Sequence, residues 1–248
     1  AIYSFLQQDY PRELYDIIVI SDQMQESTNE ALRQLPVRLL IADYTDSSKA
    51  KAMSLAMNAT ADIPYDAVVI MDADNTAGTS FLSELNPVFQ SGARAVQAHR
   101  TAKNTNTDIA VLDAASEEIN NSIFRSGHIA LGLSSALIGS GMALEACWFR
   151  QHIHLLETAG EDKEMEALLL KQRIHIEYLE HVYVKDEKTQ KKEGIKNQRK
   201  RWIAAQFGAL RASLPHLPKA LLQGNIDYCN KILQWMLPPR LVQLAGVF

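Results

Sequence analysis

The chain has 248 residues, of which 47% are apolar and 22% are charged. This is enough for a sizeable core, and it excludes an intrinsically disordered chain. The formal net charge of −4 argues against a general nucleic-acid binder. Only two cysteines occur, Cys147 and Cys229, which is too few for a disulfide framework or a zinc site. We therefore expect a reducing compartment.

The charge is unevenly divided along the chain. From Lys196 to Phe248 there are eight basic residues and one acid, Asp227, whereas residues 1–195 contain 17 basic and 28 acidic residues. This basic C-terminal segment favours an anionic partner or surface. The chain contains no run of about 18 apolar residues, so the sequence predicts no membrane span. No signal peptide is recognised at its start. Because the first residue is not Met, we expect a piece of a longer protein.

Strand and helix patterns alternate in the first hundred residues. Continuous apolar runs, typical of parallel strands buried on both faces, are clearest at 16–22 and 65–72 and weaker at 37–41 and 93–98. Helical patterns lie between these runs, at 27–35, 49–61 and 80–89. This order predicts an α/β domain with a mostly parallel sheet. Ligands of such sheets bind at the carboxyl ends of the strands, which is where Asp22, Asp72 and Asp74 fall.

The second half of the chain mixes longer helices with one further strand. The patterns predict a helix at 108–124, a Gly- and Ser-rich loop with short strands at 127–141, a helix at 163–173 and a strand at 174–184. Asp186-Glu187-Lys188 is predicted to be a surface turn. Amphipathic helices interrupted by prolines follow Trp202, and their interleaved basic and apolar residues suit either a membrane interface or ordinary core packing.

Asp72-Ala73-Asp74 is the sharpest local motif. Such a triplet usually marks a turn, but this one follows a buried strand. Two carboxylates at a strand end can bind one hard cation, and Mg²⁺ and Mn²⁺ prefer oxygen ligands. The motif therefore predicts a metal site in which a nucleoside diphosphate supplies the remaining ligands.

Two further motifs are ambiguous by themselves. Glu161-Asp162, after Gly160, is readily explained as the start of a helix, where acidic side chains are favourable. Gln198-x-x-Arg201-Trp202 can be a solvated basic face with a docked Trp. The same residues also provide a stacking surface and hydrogen-bond donors suited to sugars and pyrophosphates.

Taken in order, these motifs resemble family 2 glycosyltransferases with the GT-A fold. The similarity is greatest to the membrane-bound, processive-type branch that includes cellulose and hyaluronan synthases. It runs from about Gln7 to Trp202 and more loosely to Pro239. It implies a Rossmann-like GT-A domain at 1–202 that lacks the family's first strand, followed by amphipathic interfacial helices at 203–248.

The resemblance also implies roles for the residues that match its donor-binding motifs. Asp22 corresponds to the acid that contacts the nucleoside, and Lys51 to a lysine near the nucleotide. Asp72 matches the acid near the donor phosphates and sugar, and Asp74 the acid that binds Mg²⁺ or Mn²⁺. Arg201 would add positive charge beside the diphosphate.

A second set of residues corresponds to the catalytic base and the acceptor site. Asp162 matches the general base, and Glu161 precedes it, although Gly160 stands where the family usually has Thr or Ser. Gln198 and Trp202 match the motif that lines the acceptor channel. Gly141, in the segment 139–142, resembles the small-residue loop where the acceptor enters, and the segment 97–100 resembles a strand end of this branch.

The resulting hypothesis is an inverting, metal-assisted hexosyltransferase. It would transfer a sugar from a nucleotide-sugar, with UDP as the expected nucleotide, to a hydroxyl of a saccharide or lipid-linked acceptor. The parent protein would lie at the inner or plasma membrane with this domain facing the cytoplasm, and nucleic acid is not an expected partner. Two alternatives on a related α/β fold are a nucleotidyltransferase and a non-catalytic subunit that binds nucleotide-sugars.

Overall fold

The structure is a computed structural model, and it describes residues 1–156, 158, 160–190 and 192–237. Two strands, β1 (Ile18–Asp22) and β2 (Arg38–Ala42), pair in parallel as a separate small sheet with Ile18 opposite Arg38. Helix α1 (Ile2–Leu6) precedes them, and α2 (Glu26–Arg33) connects them.

The main sheet has five strands in the order β3-β6-β5-β7-β4. Their bounds are β3 (Ala67–Ile70), β4 (Thr76–Ala77), β5 (Ala95–Ala102), β6 (Met142–Glu145) and β7 (Ile176–Asp186). Only β5 and β7 are parallel, and the other neighbours are antiparallel. The α/β prediction is confirmed, but the sheet is mixed rather than mostly parallel. The reason is that β6 inserts antiparallel between β3 and β5, which the sequence pattern suggested as parallel strands.

Helices cover both faces of this sheet. They are α3 (Lys49–Ala59), α4 (Phe81–Gln90), α5 (Asp108–Asn121), α6 (Gly127–Ala130), α7 (Ala146–His152), α8 (Glu161–Lys171), α9 (Lys192–Ser213), α10 (Leu217–Leu222) and α11 (Ile226–Met236). Three of them begin with a side-chain cap. Ser48 accepts from the Lys51 amide, Thr107 from that of Ala110 and Asn225 from that of Tyr228, each at 3.2 Å. Such caps satisfy amides that have no partner within the helix.

Two apolar cores form on the opposite faces of the sheet. The larger one contains Met53, Leu144, Trp148, Leu169 and Ile232, and the smaller one is built around Phe81, Val96 and Val184. The sheet therefore holds α3, α7, α8 and α11 on one side and α4 on the other. This packing fixes the position of the segments that follow β3, β6 and β7.

The C-terminal helices share the larger core. The predicted boundary between residues 202 and 203 falls inside α9, which is continuous from Lys192 to Ser213. Tyr228, Ile232 and Trp235 of α11 are buried in the larger core, and Lys231 Nζ pairs with Glu166 Oε1 of α8 at 2.6 Å. The predicted residues beyond 237, including Arg240 and 242–248, lie outside the described residues. None of the described helices is both long enough and apolar enough to cross a membrane.

Candidate active site

Asp72 and Asp74 lie in the turn between β3 and β4. The backbone amide of Asn75 donates to the backbone carbonyl of Asp72 at 3.1 Å, which closes this turn. The Asp72 amide donates to Ser140 Oγ at 3.0 Å and so anchors the turn to the segment that leads into β6. The acidic pair is therefore held by hydrogen bonds to a neighbouring strand, at the edge of the sheet predicted for ligands.

Lys49, at the first position of α3, lies within an acidic cluster. We use this name for Asp72, Asp74, Glu161 and Asp162. The Nζ of Lys49 lies 2.5 Å from Asp72 Oδ1 and 3.6 Å from Glu161 Oε1, and it donates to the Gly139 carbonyl at 2.7 Å. The ammonium thus joins the turn after β3, the loop before β6 and the start of α8. It partly neutralises carboxylates that come from segments far apart in the sequence.

Glu161 and Asp162 begin α8 beside this lysine. Burial raises the pKa of Glu161; Lys49 opposes that rise, and the negative charge of Asp162 adds to it. Asp162 Oδ1 accepts from the Lys163 amide at 2.9 Å. A side chain at Gly139, where φ is +81°, would bring its Cβ within 3.9 Å of Asp162 Oδ2 and 3.7 Å of Lys49 Nζ. Glycine therefore keeps open the space between the acid and the ammonium.

Gly141 is fixed between two strands rather than in a free loop. Its amide donates to the Ile70 carbonyl at 2.9 Å, and its carbonyl accepts from the Ala98 amide at 2.8 Å. Its φ is +64°, and an added Cβ would lie 3.0 Å from Val184 Cγ2. A larger residue here would disturb the strand connections that carry Ser140 and Gly139.

Asp74 lies in a region of accumulated negative charge. Burial raises the pKa of Asp74, and the carboxylates of Asp186 and Asp72 raise it further. The side-chain oxygen of Asn75 accepts from Ser140 Oγ at 2.7 Å. In this orientation its side-chain nitrogen donates to Asp74 Oδ1 and to Asp186 Oδ1, both at 2.9 Å. Asn75 is fully buried. It therefore connects the acidic turn to the end of β7.

Two cations and two anions lie behind this turn. Arg100 Nε pairs with Glu117 Oε1 at 2.9 Å and lies 3.8 Å from Asp186 Oδ2, while Lys188 Nζ pairs with Asp186 Oδ2 at 2.8 Å and also with Glu117. Glu187 is exposed, but Asp186 ends β7 and only 4% of Lys188 is exposed, so the prediction of a surface turn at 186–188 is wrong for those two residues. The sequence pattern indicated a polar turn because Glu117, the partner that Lys188 meets, lies far away in the chain.

Asp22 and Lys51 lie beside the acidic cluster without joining it. Asp22 is the last residue of β1, and Ser47 Oγ, next to the cap of α3, donates to its Oδ2. Lys51 Nζ donates to the Asp46 carbonyl at 2.5 Å on the exposed side of α3. The predicted lysine is thus not brought to the carboxylates, and Lys49 occupies that place instead.

One sequence signal distinguishes the two lysines. The buried residues of α3 are Ala50, Met53 and Met57. Lys49 is one residue before Ala50 and four before Met53, so it borders the buried stripe, whereas Lys51 lies two positions further round the helix.

The Gln198, Arg201 and Trp202 motif lies on α9, which packs against the start of α8. A Cβ at Gly160 would lie only 2.6 Å from Ala205 Cβ. The three motif residues precede Ala205 by three, four and seven positions (Trp202, Arg201 and Gln198). At this spacing they share its side of the helix. Trp202 is 46% exposed, and within the described residues no hydrogen bond or ion pair links these three side chains to the acidic cluster.

The donor set of Asp72 and Asp74 fits a hard divalent cation that is shared with a ligand. Carboxylate oxygens are what Mg²⁺ and Mn²⁺ prefer, and a cation would offset the repulsion between Asp74 and the carboxylates of Asp186 and Asp72. Across residues 1–156, 158, 160–190 and 192–237, no group of three or more His, Cys, Asp or Glu side chains is arranged to hold a metal. Two carboxylates leave further coordination positions of such a cation for oxygens of a ligand.

Comparison with known proteins agrees with this arrangement. A family model described as "Glycosyltransferase like family 2" matches residues 1–205. The chain belongs to this family of glycosyltransferases. No curated protein sequence matches the chain at a significant level.

Solved structures share the fold at low sequence identity. The crystal structure of residues 1–349 of TarS from S. aureus is 11% identical with a TM-score of 0.57, and the match covers 94% of this chain and 66% of that one. The mannosyltransferase PcManGT from Pyrobaculum calidifontis, in complex with GDP-Man and Mn²⁺, is 14% identical with a TM-score of 0.59, covering 99% and 73%. The chain thus spans just under two thirds of the TarS structure. Similarity at this level establishes the GT-A-type fold.

Proposed function

We propose that this protein is an inverting, metal-assisted glycosyltransferase that uses a nucleotide-sugar donor, with UDP as the nucleotide. The observation that carries the proposal is the convergence of Asp72, Glu161 and Asp162 around Lys49, with Asp74 in the same turn as Asp72. The family membership and the Mn²⁺ and nucleotide-sugar (GDP-Man) in the PcManGT structure support the metal and the donor class, whereas UDP as the nucleotide rests on the sequence resemblance alone.

The donor would bind at the edge formed by Asp72, Asp74 and Lys49. In this arrangement the ammonium of Lys49 exchanges part of its contact with Asp72 for the donor diphosphate, to which it offers a charge-assisted hydrogen bond. Asp22, at the end of β1, would contact the nucleoside. Arg201 lies on the side of α9 that faces Gly160 and would add positive charge near the leaving diphosphate.

Asp162 would act as the general base. It takes the proton of an acceptor hydroxyl while that oxygen attacks the anomeric carbon. The bond from the anomeric carbon to the phosphate oxygen breaks, and the nucleoside diphosphate leaves with the bonding electrons. This single displacement inverts the anomeric configuration. Trp202 and Gln198 would bind the acceptor sugar by stacking and hydrogen bonding.

Asp74 and Asp72 would hold the cation. Bound Mg²⁺ or Mn²⁺ would neutralise the charge that develops on the leaving diphosphate. The contribution of the chain is to present the two carboxylates from a turn that is fixed by Ser140 and Asn75.

The test is product analysis with a panel of UDP- and GDP-sugars, Mn²⁺ and saccharide acceptors. We expect release of the nucleoside diphosphate that depends on both metal and acceptor. Asp162→Asn should bind donor normally but lose transfer, and Asp74→Ala should lose the metal dependence of donor binding measured by calorimetry. Release of pyrophosphate would instead identify a nucleotidyltransferase, and binding without turnover a non-catalytic subunit. Retained transfer in Asp162→Asn would overturn the role of Asp162.

We also propose that the C-terminal helices dock on the anionic cytoplasmic face of the inner or plasma membrane, as in the processive-type branch. Exposed apolar side chains on α9 to α11 support this, namely Phe207, Leu222, Ile226 and Leu233. Arg211 and Lys219 lie on the same helices and would attract anionic lipid headgroups. Trp235 of α11, in contrast, is buried in the core.

Vesicle sedimentation tests this docking. Wild type should sediment with vesicles that contain anionic phospholipid and less with neutral ones, and Leu222→Asp/Ile226→Asp should remain in solution. Leu112→Asp, at an equally exposed leucine of α5, is the matched control and should sediment as wild type does. Equal sedimentation of all three proteins would contradict the proposal.

A further inference from the structure

Asn75 occupies a position that the donor and acceptor roles proposed above leave unexplained. It is fully buried, although it directly follows the exposed Asp74. Its carbonyl oxygen accepts from Ser140 Oγ at 2.7 Å, and its nitrogen donates to Asp74 Oδ1 and Asp186 Oδ1 at 2.9 Å. Both donors of the side-chain nitrogen and one acceptor site of the oxygen are therefore used within the protein.

The partners of Asn75 are themselves fixed. Ser140 Oγ accepts from the Asp72 amide at 3.0 Å, so its hydroxyl hydrogen is available to Asn75. Asp186 is neutralised through its other oxygen by Lys188, at 2.8 Å, and by Arg100, at 3.8 Å. Arg100 and Lys188 also share Glu117 of α5. Two cations and two anions thus form a charge-balanced cluster behind the amide.

This arrangement has a specific consequence for Asp74. One oxygen, Oδ1, accepts from Asn75, and within the part of the chain that the structure describes the Asp74 carboxylate forms no ion pair. Asp186 would repel Asp74 if nothing lay between them, and the shared amide donor offsets this repulsion. The carboxylate is thus held in one orientation by an amide, without a cation of the protein to neutralise it.

We infer that Asn75 is a positioning residue for the metal-binding carboxylate of Asp74, and that Asp186, neutralised by Arg100 and Lys188, supplies the second acceptor that fixes the Asn75 side-chain amide. The inference rests on the proposed function, because it assigns to Asp74 a cation bound together with the donor diphosphate. Partners that orient metal ligands in this way typically change metal affinity by about 10- to 100-fold when they are removed.

Titration calorimetry of Mn²⁺ into the full chain with saturating UDP tests the inference without relying on turnover. Asn75→Ala removes the donor to Asp74, and the Kd for Mn²⁺ should rise about tenfold or more. Asp186→Asn is the matched control, because its side-chain oxygen can still accept from Asn75 while the charge cluster is unbalanced. It should lower the melting temperature and leave the Kd within about threefold of wild type.

The outcomes separate this inference from the proposed function. If wild type binds Mn²⁺ and Asn75→Ala binds it equally well, the positioning role is overturned and the metal site stands. If both variants weaken binding in proportion to their loss of stability, Asn75 has only a structural role and the inference is again overturned. If wild type does not bind Mn²⁺ with UDP, the proposed function fails and the inference fails with it. Should Asn75→Ala not fold, Asn75→Ser decides, because its shorter side chain cannot donate to both Asp74 and Asp186 and should raise the Kd severalfold.

Discussion

The ammonium of Lys49 offers the most direct test of the donor site at the scale of single residues. Lys49→Met keeps most of the side-chain volume but removes the charge that meets Asp72, Glu161 and the Gly139 carbonyl. A hydrogen bond to a charged group contributes about 1.5–3 kcal/mol, so the Kd for UDP in the presence of Mn²⁺ should rise at least about tenfold. Calorimetry measures this change.

Lys51→Met is the control for this experiment. Lys51 carries the same charge two residues later, but its Nζ donates to the Asp46 carbonyl on the exposed side of α3. Its replacement should leave UDP affinity unchanged. Equal losses in the two variants would show that general positive charge near α3, rather than the position of Lys49, attracts the nucleotide.

The two lysines also show how far the sequence predicts this site. The acids could be located because each follows a recognisable strand or precedes a recognisable helix. The motif alone does not choose the lysine, since both positions are at the start of the same helix. The choice depends on which face of α3 packs against the sheet, and Ala50, Met53 and Met57 identify that face.

Gly160 is the second residue whose identity has a clear physical cause. The related enzymes usually have Thr or Ser here, but in this chain a Cβ would approach Ala205 Cβ to 2.6 Å. Gly160→Ser should therefore push α9 away from α8 and lower the free energy of unfolding by about 1–3 kcal/mol. Urea denaturation measures this loss.

Relief of the same contact provides the control. Ala205→Gly alone should cost about 1 kcal/mol, the usual effect of glycine inside a helix. Combined with Gly160→Ser, it should recover part of the lost stability, because it removes the methyl group that the new side chain meets. Strict additivity of the two losses would contradict a direct contact.

At the scale of elements, α11 is joined to α8 by a buried ion pair. Lys231 Nζ and Glu166 Oε1 are 2.6 Å apart, and both side chains are at most 4% exposed. Lys231→Met leaves a buried carboxylate without its cation and should lower the free energy of unfolding by about 3–5 kcal/mol. Chemical denaturation of the purified variant measures this change.

Two further variants establish that the loss comes from the unpaired charge. Lys231→Met/Glu166→Gln should recover much of the stability, since no buried charge then remains without a partner. Arg33→Met removes the cation of an exposed pair with Glu26 and should have no measurable effect. If the double variant is no more stable than Lys231→Met, packing of the lysine stem rather than charge is responsible.

The elements themselves were predicted unequally. β1, β2, β3, β5, β7 and most helices follow from local periodicity, because each buries a continuous or amphipathic apolar face. The antiparallel β6 was not predicted as a strand between β3 and β5. Its partners lie about 45 and 75 residues away in the chain and its residues are preceded by a Gly- and Ser-rich segment, so the pairing depends on contacts that no local pattern records.

At the scale of the whole molecule, the uneven division of charge has partly a structural origin. Lys231, one of the basic residues after residue 195, is buried and paired with Glu166. Asp227, the one acid of that segment, accepts from the Ser134 amide at 2.8 Å and from its hydroxyl at 2.6 Å. These contacts attach the C-terminal helices to the body, so counting charges along the sequence overstates the basic surface that is free to meet a partner.

The attachment at Asp227 predicts a pH dependence of global stability. The carboxylate of Asp227, whose Oδ2 lies 3.8 Å from His175 Nδ1, raises the pKa of His175 against the opposing effect of burial, and Glu177 adds to the rise. Burial alone would raise the pKa of Asp227, but the nearby His175 and the hydrogen bonds from Ser134 lower it overall. His175 therefore contributes stability that is complete below its ordinary pKa of 6.5 and is lost as the pH rises through its raised value. Asp227 contributes stability above its ordinary pKa of 3.8, which is lost as the pH falls through its lowered value.

The pair of His175 and Asp227 therefore contributes most to the free energy of unfolding at pH values between these two ordinary pKa values. The difference in unfolding free energy between wild type and His175→Gln, measured by urea denaturation, should be largest near pH 5.5 and should shrink towards pH 8.5. Glutamine keeps hydrogen-bonding capacity without titrating, so the comparison cancels the contributions of other groups, including His128, whose pKa burial lowers. His154→Gln, at an exposed histidine, should show no such trend. A constant difference between wild type and His175→Gln across this range would mean that the imidazole stabilises the attachment of α11 by packing and not by its charge.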